Sequence, residues 1–185
     1  MTGDQAAARA RRLFLDEWHV YGCAETTLMV LKEAFELPEP ADASPAMALN
    51  GGVAYSGGVC GAITGAAVAV GMLAERRLGD HALAKRTARP VVARLIEEFE
   101  RRFGAADCRT LLGREIRTPE QHRAFLNSGV WCSACMGQVS FAVRSLSGLA
   151  SDPMWIRESP AEPVPVTGPR RRPARAGLGS HRGDR

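Results

Sequence analysis

Five cysteines, Cys23, Cys60, Cys108, Cys132 and Cys135, are the residues of this 185-residue chain best suited to chemistry. Each stands at or near a predicted helix start. Cys23 follows Gly22, and Cys60 follows the glycine-rich loop 51–58. Cys108 follows Asp107, a good N-cap, and Cys132 and Cys135 open the last helix. A helix N-terminus offers unpaired N–H groups and the positive end of the helix dipole. That setting favours thiolate, the form that attacks disulfides and binds metals. The expectation is that several helix N-termini converge and bring their thiols to one place. The bland alternative is that buried free cysteines fall this way by chance and stay inert.

The spacings limit the chemistry. Cys23, Cys60 and Cys108 are far apart in sequence, unlike the paired C-x2-C knuckles of zinc ribbons or the clustered runs of ferredoxins. Cys132-Ser133-Ala134-Cys135 is a C-x-x-C, but Met136 follows where covalent haem attachment needs His. No haem is expected. An odd number of cysteines also argues against a plain disulfide framework.

The cysteine contexts, taken in order, resemble the C-GCAxxG-C-C family of redox-active proteins. Its CGAxxG segment reads here as Cys60-Gly61-Ala62-Ile63-Thr64-Gly65. Its first cysteine matches Tyr21-Gly22-Cys23-Ala24-Glu25, and its third matches "FERRFGAADCRTLLG" around Cys108. Its last is followed by Val at +4 and Ala-Val at +7 and +8. Cys135 fits through Val139, Ala142 and Val143, whereas Cys132 does not. The resemblance covers about residues 8–148. It implies redox activity centred on Cys23, Cys60, Cys108 and Cys135, as ligands of an iron–sulfur cluster or as a thiol/disulfide relay. Cys132 is an extra thiol and a substitute ligand. A similar four-cysteine module in split-Soret cytochromes makes a cluster conceivable. The alternative is a non-enzymatic interaction module held by structural zinc, or one with inert thiols.

The elements that must position these residues are helical throughout. Apolar residues at Leu13, Phe14, Leu15 and Trp18 predict a helix from Asp4 to about Trp18, and Leu28, Leu31 and Phe35 a second from Cys23. "ELPEPADASP" is a Pro-rich loop, with one helical turn expected over 45–50. The run Cys60–Leu78 carries Gly61 and Gly65, which let a neighbouring backbone come close. Asp80 to Phe103 follows, with Pro90 as an expected kink or break and Gly104 as its stop. After a short turn over Cys108–Leu112, Thr118-Pro119-Glu120-Gln121 has capping-box spacing, and the last helix runs from about Ser133 to Leu146. The fold class is all-α: one bundle of about five or six helices over residues 1–158, with a disordered basic tail at 159–185.

The formal net charge of +4 suggests nucleic acid until it is located. Arg170, Arg171, Arg172, Arg175, Arg182 and Arg185 against Glu162 and Asp184 supply all of it, leaving 18 basic and 18 acidic residues before position 160. No nucleic-acid partner is expected, and the tail reads as solubilising. The longest apolar run, Val59 to Ala74, is 16 residues, short of the roughly 20 a membrane span wants. With no signal-peptide pattern visible, the reading is cytoplasmic, with an unidentified electron-transfer or thiol partner. His19 has no metal spacing with the other histidines and reads first as surface or structural, with tuning of Cys23, one helical turn on, as the alternative. His81, His122 and His181 read as surface or structural, Trp131 as packing, and Glu17, Glu25 and Asp107 as caps or solvated groups.

Overall fold

A computed structural model describes residues 1–155. The predicted tail at 159–185 lies outside them. The described residues form seven α-helices: α1 Gly3–Phe14, α2 Cys23–Ala34, α3 Gly61–Leu78, α4 His81–Phe103, α5 Cys108–Leu112, α6 Pro119–Asn127 and α7 Met136–Leu146. The fold is all-α as expected. The helix number exceeds the expected five or six because the stretch at Cys108–Leu112 closes a helical turn of its own.

Helix α2 is the central element. Every residue from Thr26 to Lys32 is buried, because α2 packs on α3 and also meets α1 and α7. Lys32 is no exception to burial. Its stem lies in the core and its Nζ donates to the Asp42 carbonyl at 2.9 Å, pinning the Pro-rich loop. α3 packs on α4, and α1 on α7. α1 runs antiparallel to α7, since Asp4 pairs with Arg144 at one end while Phe14 packs on Trp131, just ahead of α7, at the other.

Three local expectations need correction. α1 ends at Phe14, short of Trp18. The Asp16 carboxylate accepts the Trp18 N–H (3.1 Å) and the Asp16 carbonyl accepts the His19 N–H (3.0 Å). That local turn competes with the helix, and Trp18 is left 78% exposed rather than on an apolar face. Helix α4 passes through Pro90 without a break. Its buried stripe, Ala84, Val91, Leu95 and Phe99, continues across the proline and holds both halves against the core. The last α-helix begins at Met136, because Trp131–Cys135 form a π-helical turn ahead of it. The cap signals behave as read: Thr118 and Gln121 close a capping box, and Gly104 ends α4 with φ +85°. Among the described residues no helix is long and apolar enough to cross a membrane.

Candidate thiol site

Cys60 and Cys108 are joined by a feature that helical periodicity cannot announce. The segments ahead of α3 and α5 pair antiparallel, with Val59 opposite Asp107. The Cys60 N–H donates to the Ala106 carbonyl (2.8 Å), and the Cys108 N–H donates to the Gly58 carbonyl (2.7 Å). Asp107 caps α5 by accepting the Thr110 N–H at 2.8 Å. Two cysteines 48 positions apart thus enter their helices side by side.

Cys23 is brought to them by the two glycines of the CGAxxG segment. A Cβ on Gly61 would lie 2.3 Å from Cys23 Sγ, and one on Gly65 would lie 2.2 Å from the Ala24 carbonyl oxygen. Four residues apart, the glycines share one face of α3. On that face the start of α2 rests directly on the backbone.

Asn50 ties the same junction from the loop side. Buried, it accepts the Ala24 N–H at 3.0 Å and donates to Glu25 Oε2 at 2.8 Å, while the Cys23 thiol lies 3.9 Å from its Oδ1. Glu25 Oε2 also accepts the Gly22 N–H at 2.8 Å, the capping role expected for it. The loop beyond Asn50 coils left-handed through Val53, Ala54 and Tyr55, at φ +64°, +50° and +59°. For a β-branched residue such as Val53 this is strained.

Cys135 ends the π turn and is buried. One helical turn later, Gln138 Oε1 lies 3.6 Å from the Cys60 thiol, which donates to it. A single cavity of 190 Å³ is walled by Cys23, Cys108 and Cys135 with Phe14, Tyr55, Phe125 and Trp131, and by His19, His122, Glu25 and Asn50. His19 stands edge-on to Trp131 (4.3 Å between ring centres), and His122 lies against Tyr55 (4.8 Å). Trp131 packs on Phe14 and donates its Nε1–H to the Leu126 carbonyl at 3.1 Å. Cys60 is 1% exposed and does not line the cavity. It is nonetheless close enough that charge on Cys23, Cys108 or Cys135 disfavours its ionisation. Cys132 is exposed, and no disulfide joins any of the five.

Here the sequence reading of the thiols is corrected. Helix starts were expected to favour thiolate, yet all four inner thiols are pushed up. Desolvation is the largest cause at each. For Cys60 and Cys135 the charges of neighbouring cysteines add to it, and Cys108 is pushed up to about 12 by burial, Cys23 and Asp107. The N–H groups do act in the expected sense at Cys23, where those of Gly51, Ala24, Cys23 and Gly61 all lower it. Four donors do not outweigh burial.

Among the described residues no three His, Cys, Asp or Glu side chains are grouped to hold a single metal ion. The family model described as "Putative redox-active protein (C_GCAxxG_C_C)" matches residues 21–146. No curated protein and no solved structure matches the chain.

Proposed function

The chain belongs to the C_GCAxxG_C_C family, and on that premise we propose that it is a small redox protein whose centre is an iron–sulfur cluster held by Cys23, Cys60, Cys108 and Cys135. The observation that carries this reading is the shared cavity: three of these thiols wall it, and the fourth is electrostatically linked to all three.

The donor set fits such a group. Clusters are held by four cysteine thiolates. Burial and mutual repulsion make four thiolates costly here, and a bound cation reverses both effects by deprotonating its ligands outright. The cavity volume of 190 Å³ falls below the roughly 300–1,000 Å³ of sites for organic ligands, which favours a compact inorganic group over a nucleotide cofactor. A lone zinc ion needs four donors about 2.0–2.3 Å from one point, whereas a cluster spreads its ligands over several irons. The metal content of the purified protein separates these two arrangements. When bound, the cluster would supply one-electron transfer. The chain's own part is to exclude water with Phe14, Phe125 and Trp131, to direct N–H groups at Cys23, and to hold the Cys60 thiol toward Gln138.

A second reading, a thiol/disulfide relay, is favoured by one observation: Cys132 is exposed while Cys135, three residues on, is buried in the cavity wall. The cluster reading fits a compartment where thiols stay reduced. Anaerobic purification with iron and sulfide analysis separates the two readings. The cluster reading expects brown protein with iron and sulfide, lost in each of Cys23→Ser, Cys60→Ser, Cys108→Ser and Cys135→Ser and kept in Cys132→Ser. Because a displaced cluster can recruit the nearby thiol, the Cys132→Ser/Cys135→Ser double variant is made as well. Colourless protein that loses free thiols in pairs on oxidation would favour the relay, and colourless protein with stoichiometric zinc would favour the structural alternative.

A further inference from the structure

The outer side of the Cys132–Cys135 turn faces a second depression. A groove of 770 Å³ along α7, flanked by α1 and α4, is lined by Cys132, Arg11, Arg102, Arg144, Gly137 and Phe141 among others, with no acidic side chain in its walls. Arg144 is engaged by Asp4 at 3.2 Å. Arg11 and Arg102 make no ion pair among the described residues. Each arginine lies in the last turn of its helix, which the helix dipole alone would favour. The dipole does not account for an exposed free thiol set among them. Nor does it account for the π-helical turn that carries this thiol, a distortion that recurs at functional sites.

We propose that this groove binds small anionic disulfides, molecules with a carboxylate on either side of an S–S bond, and that Cys132 exchanges with them. The volume lies within the roughly 300–1,000 Å³ of small-molecule sites, and arginine forks match carboxylate geometry. In the first step Cys132, as thiolate, attacks one sulfur of the disulfide RS–SR. The Cys132–S–S–R mixed disulfide forms, and RS⁻ leaves and takes up the proton that Cys132 gave up. In the second step Cys135, as thiolate, attacks the Cys132 sulfur. A Cys132–Cys135 disulfide forms and a second RS⁻ leaves, protonated from Cys135. Two protein thiols are oxidised by two electrons, and one disulfide is reduced to two thiols. C-x-x-C is the spacing of dithiol redox motifs. The first step stands whatever the inner thiols hold. The second needs Cys135 as a free thiol and so rests on the relay reading.

The test uses the full-length chain with Cys135→Ser, reduced and kept anaerobic, and two disulfides of similar size: dianionic dithiodipropionate and dicationic cystamine. Rates of mixed-disulfide formation at Cys132 are read by mass spectrometry and normalised to each reagent's rate with a free small thiol. Electrostatic steering of the size such clefts supply predicts at least about a tenfold preference for the dianion at low salt, shrinking toward parity near 1 M salt. The preference should also fall in Arg11→Gln/Arg102→Gln, whose fold is checked by circular dichroism. Equal rates, preference for the dication, or label on another cysteine with Cys132 untouched would overturn the groove. In the unsubstituted chain the mixed disulfide should give way to an internal disulfide with a second equivalent of thiol released. A mixed disulfide that persists there would overturn the resolving role of Cys135 alone.

Discussion

Cys132 and Cys135 sit on one turn and face two different environments. Inward, Cys135 joins Cys23 and Cys108 around an aromatic cavity, beside a buried Cys60. Outward, Cys132 lies in an open groove among three arginines. Inside, every nearby ionisable thiol makes the next one harder to charge, so the region is built for neutral thiols or for a bound cation. Outside, the nearby charges are of the sign that attracts an anion. Three residues of sequence separate a sheltered thiol from an accessible one. Burial, more than helix position, decides which is which.

The sharpest way to break that contrast is thiol accessibility. In native, metal-free protein Cys132 should react with a thiol-specific reagent at least about 100-fold faster than buried Cys60, Cys108 and Cys135, whose exposure requires local opening, with half-buried Cys23 in between. Cys132→Ser should remove the fast phase entirely. Several fast thiols in the native protein would show that the cavity is not sheltered.

Next in size is the packing that shelters the inner region. Gly65→Ala drives a methyl against the Ala24 backbone and should cost about 2–3 kcal/mol, bringing the buried thiols into the fast phase. Gly71→Ala on the same helix meets nothing within 4 Å and should instead stabilise by roughly 0.5–1 kcal/mol. Denaturant melts of the pair check both signs.

Stability of the metal-free protein should also depend on alkaline pH. The folded pKa values of the inner thiols are raised above the ordinary 9.0. The unfolded chain therefore loses those protons first as pH rises. Stability is fully present below about 9 and falls from there toward 12, where Cys108 titrates. Cys108→Ala should make that fall shallower in melts taken between these values, and an unchanged slope would contradict the assignment. The smallest effect concerns the loop: Val53→Gly relieves a left-handed β-branched residue that is 45% exposed. It should raise stability by about 1 kcal/mol, read as a shift in the denaturation midpoint.

Much of this was legible in the chain itself. Cap signals such as Thr118-Pro119-Glu120-Gln121 and the stop at Gly104 are local chemistry, and local chemistry survives folding. The family resemblance could be read because the flanks of Cys23, Cys60, Cys108 and Cys135 each carry their own pattern. What stayed hidden depends on contacts between distant segments. The pairing of residues 57–60 with 106–109 has no periodic signature. Asn50 and Gln138 look like ordinary polar residues until their amides are found beside Cys23 and Cys60. The direction of the thiol shifts could not be read either. A helix start is visible in sequence, whereas the depth of burial that overrides it is a tertiary property. The arginine groove was missed for the same reason, since Arg11, Arg102 and Arg144 come from three helices.

Cys60 is where the claim of one shared centre is most exposed, because it is coupled to the other three thiols without lining their cavity. The direct measurement is an equilibrium redox titration of iron-and-sulfide-reconstituted protein, followed by visible absorption, in the unsubstituted chain, Cys132→Ser and Cys60→Ser. A single centre built on Cys23, Cys60, Cys108 and Cys135 predicts a reversible transition within about −700 to +450 mV. It should be retained in Cys132→Ser and abolished or displaced in Cys60→Ser. No reversible transition in the unsubstituted chain, or one that Cys60→Ser leaves unchanged, would contradict it.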